Sequence, residues 1–342
     1  MQPPLTDTPA AANLTETLAN LNILWILAII AGLSLVRLAC VYSKSDTARS
    51  VSEILESGMI AVALVFLIIR PFVLQAFFIP SPSMEPTLLG KDGSGDRILV
   101  NKFDYRLRKP NHDDVVVFLA PPAAMEGDPE FIKRLIGLPG DRLQVVAGLL
   151  TINGKMHNHA DVRQTLADAG ECGDEAKTNP GEDLQADCHV KFVNDGVLVN
   201  INDGHPHLVT KERLAQIYTG QKDIPVVIRP GYTIRNGEKL EEPFIAEDPD
   251  YDMVIYHGEP LKHEYGPYQE DYKWDGQPIT QTQYAQEDAQ PTEPLPAGEY
   301  MMMGDNRNDS NDSTNWGPLK AHRLVGKAQL IFWPPSRIGI IH

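Results

Sequence analysis

The segment from Ile79 to Leu88 (IPSPSMEPTL) holds two serines, Ser81 and Ser83, among three prolines. Proline fixes φ and restricts the residue before it to extended conformations, so this backbone is expected to be rigid and non-helical. A rigid backbone would hold a serine hydroxyl at a fixed position, as a nucleophile requires. An ordinary Ser/Pro linker explains the same composition, so the segment alone leaves both interpretations open.

Lys133 lies among apolar residues in the segment FIKRLIGLPGD, just before a Gly/Pro turn. In a strand its side chain would share a face with Phe131 and Leu135. Apolar surroundings disfavour the charged ammonium and lower the pKa of a lysine, which then serves as a neutral base. The alternative is a surface lysine that extends into solvent beside Arg134.

A third segment, Gly304 to Gly317 (GDNRNDSNDSTNWG), is so rich in short polar side chains that it is expected to form a loop bonded to itself and to the backbone. A calcium loop is the alternative. Asp305, Asp309 and Asp312, however, lack the central Gly and terminal Glu of the EF-hand arrangement. The three cysteines form no zinc-type cluster. We therefore expect no metal and no cofactor.

The negative net charge limits the kinds of molecule that this protein is expected to bind. Lys and Arg number 30 against 46 Asp and Glu, and the net charge is −16. Phosphate contacts need a basic face, so the composition argues against a nucleic-acid partner.

Two apolar segments precede these motifs, and each is about long enough to cross a bilayer as a helix: residues 22–42 and 58–76. The linker 43–57 carries Lys44 and Arg49, so the positive-inside rule places it in the cytoplasm. The N-terminal tail, 1–21, and the chain after the second span then lie on the exported side. Because the tail has no Lys or Arg, a cleaved secretory signal is not expected, and both spans should remain as anchors.

The exported part has the pattern of a mainly β domain, because short branched runs such as RILVNKF and DVVVFLA are separated by Pro, Gly and Asn-Gly. Between about 156 and 296 the chain is polar and acidic, which predicts a large inserted cap. The core is then built from two separated pieces of sequence. Cys172 and Cys188 lie in this cap, in an oxidising compartment, and are expected to form a disulfide.

Taken in order, these segments resemble the bacterial type I signal peptidases. The shared pattern is S-M-x-P-T-L after a span, a strand-like V-x-K-F and D-V-V-V-F, then [FY]-I-K-R-x-x-G-x-P-G-D, and finally G-D-N-R-x-x-S-x-D-S. The resemblance covers roughly 77–153 and 296–334, and it includes the two-span topology of the Gram-negative members. It touches the cap chiefly at 236–243. It implies a signal-peptidase-like antiparallel β catalytic domain at 77–342, preceded by two transmembrane α-helices.

The resemblance also implies a role for each motif residue. Ser83 is the nucleophile and Lys133 the general base, so neither His nor Asp is required. Ser81 matches the serine whose hydroxyl helps to bind the oxyanion, and Ser310 matches the one that orients the lysine. Asp305 and Asp312 match acids that order a loop. The residues that match the lining of shallow pockets for small side chains are Phe77, Ile79, Pro80, Leu88, Phe131 and Ile132.

Two positions depart from the family pattern. Thr314 stands where an Arg usually pairs with the Asp two residues earlier, which leaves the partner of Asp312 open, with Arg307 as one candidate. Asp113 stands where Gly is usual before D-V-V-V-F, which predicts an altered turn.

The implied activity is that of a serine endopeptidase in the bacterial inner membrane, with its catalytic domain on the periplasmic side. It would remove signal peptides from exported preproteins through an acyl-enzyme, cutting after A-x-A sites, with the bilayer and the secretion translocon as its surroundings. Self-cleaving repressors also use Ser and Lys, but they are soluble and cytosolic, and the two spans argue against them. An inactive membrane-tethered interaction module is the non-enzyme alternative, and such a module would be expected to have lost Ser83 or Lys133.

Overall fold

The structure is a computed structural model that describes residues 23–42, 46–69, 73–91, 93–127, 129–172, 188–201, 206–265, 270–274, 276–283 and 291–342. The helices that bear on the argument are α1 Ile23–Tyr42, α2 Asp46–Ala63, α3 Asp104–Leu107, α4 His159–Asp168, α5 Lys211–Thr219 and α6 Ser313–Trp316. The strands are β1 Leu74–Phe78, β2 Arg97–Asn101, β3 Val115–Leu119, β4 Glu130–Gly137, β5 Leu143–Val146, β6 Leu149–Ile152, β7 Lys155–His157, β8 Cys188–Val193, β9 Gly196–Ile201, β10 His207–Thr210, β11 Val226–Arg229, β12 Tyr232–Arg235, β13 Glu238–Lys239, β14 Tyr251–Tyr256, β15 Glu259–Tyr265, β16 Glu270–Trp274, β17 Gln277–Pro278, β18 Glu299–Met303, β19 Leu319–Lys320, β20 Leu324–Trp333 and β21 Gly339–Ile340.

Two N-terminal helices are long and apolar enough to cross a membrane, over Trp25–Tyr42 and Thr47–Leu67. The second is helical from Asp46 and continues as a π-helix over Leu64–Ile69. The predicted tail 1–21 and the span or linker residues 22, 43–45 and 70–72 lie outside the described segments.

The predicted end of the second span, at residue 76, was wrong. Residues from Leu74 onward form β1, whose register with β2 pairs Leu74 with Asn101 and Ala76 with Leu99. Hydrogen bonds to β2 pair the backbone N–H and C=O groups of this segment. The last part of the apolar run is therefore a strand, although its composition continues that of the helix.

An antiparallel sheet of eight strands contains both ends of the chain that follows the apolar helices, in the order β1-β2-β20-β3-β4-β18-β19, with β21 paired to β20. The predicted mainly β, antiparallel fold preceded by two apolar helices is confirmed. Strands from before and after the insert alternate in this sheet, so its core comes from two separated pieces of sequence.

The insert does not form one unit with the predicted bounds of 156–296. β12 and β14 pair with β5, which precedes that range, in a seven-stranded sheet, β13-β12-β5-β14-β15-β16-β17. Strands β6 to β11, with α4 and α5, instead surround a separate core, represented by Val162, Phe192 and Leu214. We call this part, residues 149–229, the cap module. A disulfide joins Cys172 and Cys188 within it, with their Cα atoms 5.5 Å apart.

Candidate active site

Ser83 and Lys133 meet because the eight-stranded sheet is curled. Ser83 lies in a 3₁₀ turn, Pro82–Met84, shortly after β1, and Lys133 lies in β4 opposite Val116 of β3. Strands β2, β20 and β3 separate β1 from β4 in the sheet order. Nevertheless, the Lys133 Nζ lies 2.7 Å from the Ser83 Oγ, so the curl of the sheet brings the turn after β1 against β4. This is the distance expected for a nucleophile and its base.

Lys133 has little contact with solvent. Its side chain is 4% exposed, and Nζ also donates to the carbonyl oxygen of Ile132 at 3.0 Å. Burial lowers the pKa of Lys133 to about 8, against the opposing effect of nearby carboxylates, chiefly that of Asp312. A neutral amine is therefore accessible near physiological pH.

The other two serines lie on either side of Ser83. The Ser81 Oγ is 3.3 Å from the Ser83 Oγ. Ser310 lies beside the backbone of the Ser83 turn, because a methyl group on Gly304 would come within 2.3 Å of the Ser310 Oγ and 2.5 Å of the Ser83 carbonyl oxygen. Among the described residues, the buried Ser310 Oγ has no hydrogen-bond partner, so no such bond orients Lys133 here.

The loop formed by residues 304–312 begins beside Lys133 because of strand pairing. β18 runs antiparallel to β4 with Met303 opposite Arg134, so Gly304 is the first residue beyond the ladder. The N–H of Asn306 then donates to the carbonyl oxygen of Ser83 at 3.2 Å. The 304–312 loop thus contacts the serine turn directly.

Asp305 is tied to β4 by a buried ion pair. Arg134 donates from Nε and Nη2 to its two carboxylate oxygens, at 2.8 and 2.7 Å, and Thr87 donates to the same carboxylate at 2.5 Å. Both charged side chains are almost fully buried. This bidentate geometry fixes the start of the 304–312 loop against the strand that carries Lys133.

Asp312 is held by backbone and hydroxyl donors. It accepts from the N–H and the Oγ1 of Thr314, at 3.0 and 2.8 Å, and from the N–H of Gly304 at 2.8 Å. Arg307 does not substitute for the missing arginine, because it pairs with Glu242. The threonine at 314 therefore supplies a neutral donor for Asp312.

The loop carboxylates are engaged by donors from the protein itself. Within the described segments, no group of three or more His, Cys, Asp or Glu side chains is arranged to hold a metal ion.

The turn before β3 keeps a glycine-like backbone although its residue is Asp113. The φ of Asp113 is 66°, in the left-handed region that glycine adopts most readily. Its carbonyl oxygen accepts from Arg134 Nη1 at 2.8 Å, so the turn helps to hold the arginine that binds Asp305.

The predicted pocket residues fall into groups with different exposure. Ile79 and Leu88 are fully buried core residues, and Phe77 and Ile132 pack half-buried against the same core. Pro80 is exposed. Phe131 packs on the other face of β4 against Phe118, and its ring centroid is 5.7 Å from the Lys133 Nζ.

Sequence analysis missed three contributors to this geometry: Arg134, Thr87 and Asn306. Arg134 was considered only as a surface residue, yet it is 1% exposed. Its position beside Lys133 in an apolar strand was a signal for burial. Its partner Asp305, 171 positions away, was not visible from local pattern.

Comparison with known proteins agrees with this fold and geometry. The profile of the family described as signal peptidase, peptidase S26, matches residues 51–209 and 226–333, so the chain belongs to that family. It is 27% identical over 291 residues to a probable signal peptidase I-2 of Synechocystis sp., covering 84% of this chain and 77% of the relative. It is 29% identical over 309 residues to a signal peptidase I of Buchnera aphidicola, covering 82% and 79%. A signal peptidase I of Aquifex aeolicus is 26% identical over 291 residues, covering 82% and 83%. The predicted family is confirmed.

Proposed function

We propose that this chain is a membrane-bound serine endopeptidase that removes N-terminal signal peptides from exported preproteins, with Ser83 and Lys133 as its catalytic dyad. The observation that carries the proposal is the buried 2.7 Å approach of the Lys133 Nζ to the Ser83 Oγ. The peptidase S26 family and the names of the relatives support the substrate class.

In the proposed reaction, neutral Lys133 takes the proton of the Ser83 hydroxyl as Oγ attacks the scissile carbonyl carbon. The oxyanion is stabilised by the Ser81 hydroxyl and the Ser83 backbone N–H. The Lys133 ammonium then protonates the leaving amine, which departs as the mature protein. Neutral again, Lys133 removes a proton from water as the water oxygen attacks the acyl carbon. The Lys133 ammonium then returns that proton to the Ser83 Oγ, and the signal peptide leaves with a free carboxyl terminus.

An extended substrate suits the strand that precedes Ser83. β1 stands at one end of the strand order, and a peptide that adds along such an edge gains main-chain hydrogen bonds while alternate side chains enter pockets. Pockets formed by Phe77, Ile132 and their neighbours discriminate by excluding bulk. We therefore propose cleavage after small residues, in the A-x-A pattern.

The proposed location is the bacterial inner membrane, with the catalytic domain on the periplasmic side and near the secretion translocon. The two membrane-length helices and the bacterial relatives support membrane association. The orientation follows from the basic linker, as argued from Lys44 and Arg49.

The test is cleavage of a preprotein substrate by purified full-length protein in detergent or proteoliposomes. Ser83→Ala and Lys133→Ala should each lower kcat by several orders of magnitude, because two members of one catalytic unit are each nearly indispensable. Exposed Ser336→Ala and Lys155→Ala are the matched controls and should cleave normally. Near wild-type cleavage by either dyad variant would refute the mechanism.

A further inference from the structure

The 304–312 loop is held from a second direction, opposite the Ser83 turn. Asn308, near its centre, faces charged side chains at the boundary between the cap module and the seven-stranded sheet. The family motif leaves this position free, so the motif assigns Asn308 no role.

The charged side chains form a buried ion cluster of His159, Arg163, Glu247 and Asp248. Arg163 Nη2 lies 2.9 and 2.8 Å from the two carboxylate oxygens of Glu247, and His159 Nε2 lies 2.9 Å from Asp248 Oδ1. All four are at most 6% exposed. Breaking a buried pair would leave an uncompensated charge, so the cluster is a firm anchor.

The acids of the buried ion cluster also bind main chain from two directions. Glu247 accepts from the N–H of Val190, and Asp248 accepts from the N–H groups of Phe192 and Gly231. The acids thus connect β8 and helix α4 of the cap module to the chain that leads into β14.

Both the nitrogen and the oxygen of the Asn308 side-chain amide form hydrogen bonds with residues 247–250. Its Nδ2 donates to Glu247 Oε2 and to the carbonyl oxygen of Asp248, each at 3.1 Å, and its Oδ1 accepts from the N–H of Asp250 at 3.0 Å. Burial alone would raise the pKa of the Glu247 carboxyl, but Arg163 and His189 lower it to about 2. Glu247 therefore stays ionised, and a hydrogen bond to an ionised acceptor is stronger than a neutral one.

A displacement of Asn308 would also displace Ser83, because two neighbours of Asn308 in the loop contact the Ser83 backbone. Asn306, two residues earlier, bonds the Ser83 carbonyl oxygen, and Ser310, two residues later, lies beside the same backbone. A displacement of about 1 Å in an active site can cost about 10²-fold in rate.

We propose that Asn308 is a positioning residue, which locks the 304–312 loop to the buried ion cluster and thereby holds the Ser83 turn in register with Lys133. This inference rests on the proposed function. The cap module, through α4 and β8, is then part of what sets the catalytic geometry, although none of its described side chains is required to touch the substrate.

The test compares kcat and KM of Asn308→Ala and Asn308→Asp with those of the wild type. Asn308→Ala removes all three hydrogen bonds. Asn308→Asp keeps the shape and the acceptor but loses both donor bonds and sets a carboxylate against Glu247. Each should lower kcat by about tenfold or more and leave KM within about twofold, since the loop acts on the reacting groups.

Active-site titration with a serine-reactive acyl probe separates positioning from simple stability. A folded variant with a displaced Ser83 turn should label all of its sites but more slowly, whereas a partly unfolded protein should leave a fraction of its sites unlabelled. The control is Gln164→Ala, which removes an exposed amide from α4 without touching the loop. All rates are measured where circular dichroism shows each variant fully folded.

The outcomes distinguish this inference from the proposed function. A wild type without Ser83-dependent cleavage defeats the proposed function. If the wild type cleaves, wild-type kcat in a folded Asn308→Ala or Asn308→Asp variant overturns the role of Asn308, as does a loss of rate that is fully accounted for by unlabelled sites. The isosteric Asn308→Asp keeps this comparison available where the alanine variant does not fold.

Discussion

At the scale of single residues, the proposed base is an amine that has been removed from water. Lys133 has no carboxylate within hydrogen-bond distance among the described residues, and its bonds go to Ser83 and to a carbonyl oxygen. Direct salt bridging would stabilise the ammonium and raise its pKa. The buried arginine next to it, Arg134, takes the carboxylate of Asp305 instead. Adjacent residues of one strand therefore differ, because Lys133 bonds to neutral groups and Arg134 to a carboxylate.

The first prediction concerns pH. In the proposed mechanism Lys133 acts as a base when it is neutral, and burial lowers its pKa to about 8. Below that value it is protonated, so kcat/KM should rise about tenfold per pH unit on the acid side and level off above about pH 8. The measurement is kcat/KM between about pH 6 and 9.5 with a substrate that does not titrate there. A flat profile between about pH 6 and 8 would argue against Lys133 as the base.

The candidate catalytic residues could be identified from the sequence, but not all of their hydrogen-bond partners could. The prolines beside a serine and the lysine among apolar residues made Ser83 and Lys133 candidates, but only the resemblance to the signal peptidases assigned their roles. The partner of Asp312 was not predictable. It is decided by the conformation of the loop, which brings the backbone N–H of Gly304 and the hydroxyl of Thr314 to the carboxylate.

At the scale of elements, β4 and the 304–312 loop carry most of the side chains of the candidate site. β4 carries Lys133 and Arg134 between β3 and β18, and the loop returns to the same strand through Asp305. The mainly β character was predictable from branched, alternating runs. The bounds of the insert were not, because the pairing of β5 with β12 and β14 is non-local and depends on register that composition does not reveal.

The second prediction concerns the disulfide of the cap module. Cys172 and Cys188 are separated by 16 positions, and closing a loop of this length stabilises a protein by about 3 kcal/mol in the chain-entropy model. Cys172→Ser/Cys188→Ser should therefore keep most of its activity at low temperature but melt earlier or become sensitive to protease in the cap module. Thermal melting and limited proteolysis measure this.

The disulfide prediction has two clear ways to fail. Free thiols at both positions, found by mass shift after alkylation of unreduced protein, would exclude the bridge. Complete loss of turnover in a double variant that remains folded would mean that the disulfide itself sets the catalytic geometry, beyond the hydrogen bonds of Asn308.

At the scale of the whole molecule, the proposed nucleophile, Ser83, lies close in sequence to the second apolar helix. The π-helical end at Ile69 is followed by β1 at Leu74 and then by Ser83. Even fully extended, the intervening chain spans at most about 50 Å, so the site is tethered near the membrane surface. A signal peptide that occupies the bilayer presents its cleavage site at this level, which fits the proposed substrate.

The third prediction concerns orientation. Lys44 lies between the apolar helices and Arg49 lies near the start of α2, whereas the tail before the helices has no Lys or Arg. The catalytic domain should therefore lie on the periplasmic face and the connection between the helices in the cytoplasm. Single cysteines serve as reporters in a background of Cys40→Ser, with the cap disulfide left intact. Thr47→Cys lies at the exposed start of α2, and Lys155→Cys lies on the exposed β7 of the cap module. On intact spheroplasts a membrane-impermeant maleimide should label Lys155→Cys at once and Thr47→Cys only after permeabilisation. Labelling of Thr47→Cys from outside, with protection of Lys155→Cys, would invert the topology and place Ser83 on the side where exported preproteins have not yet crossed.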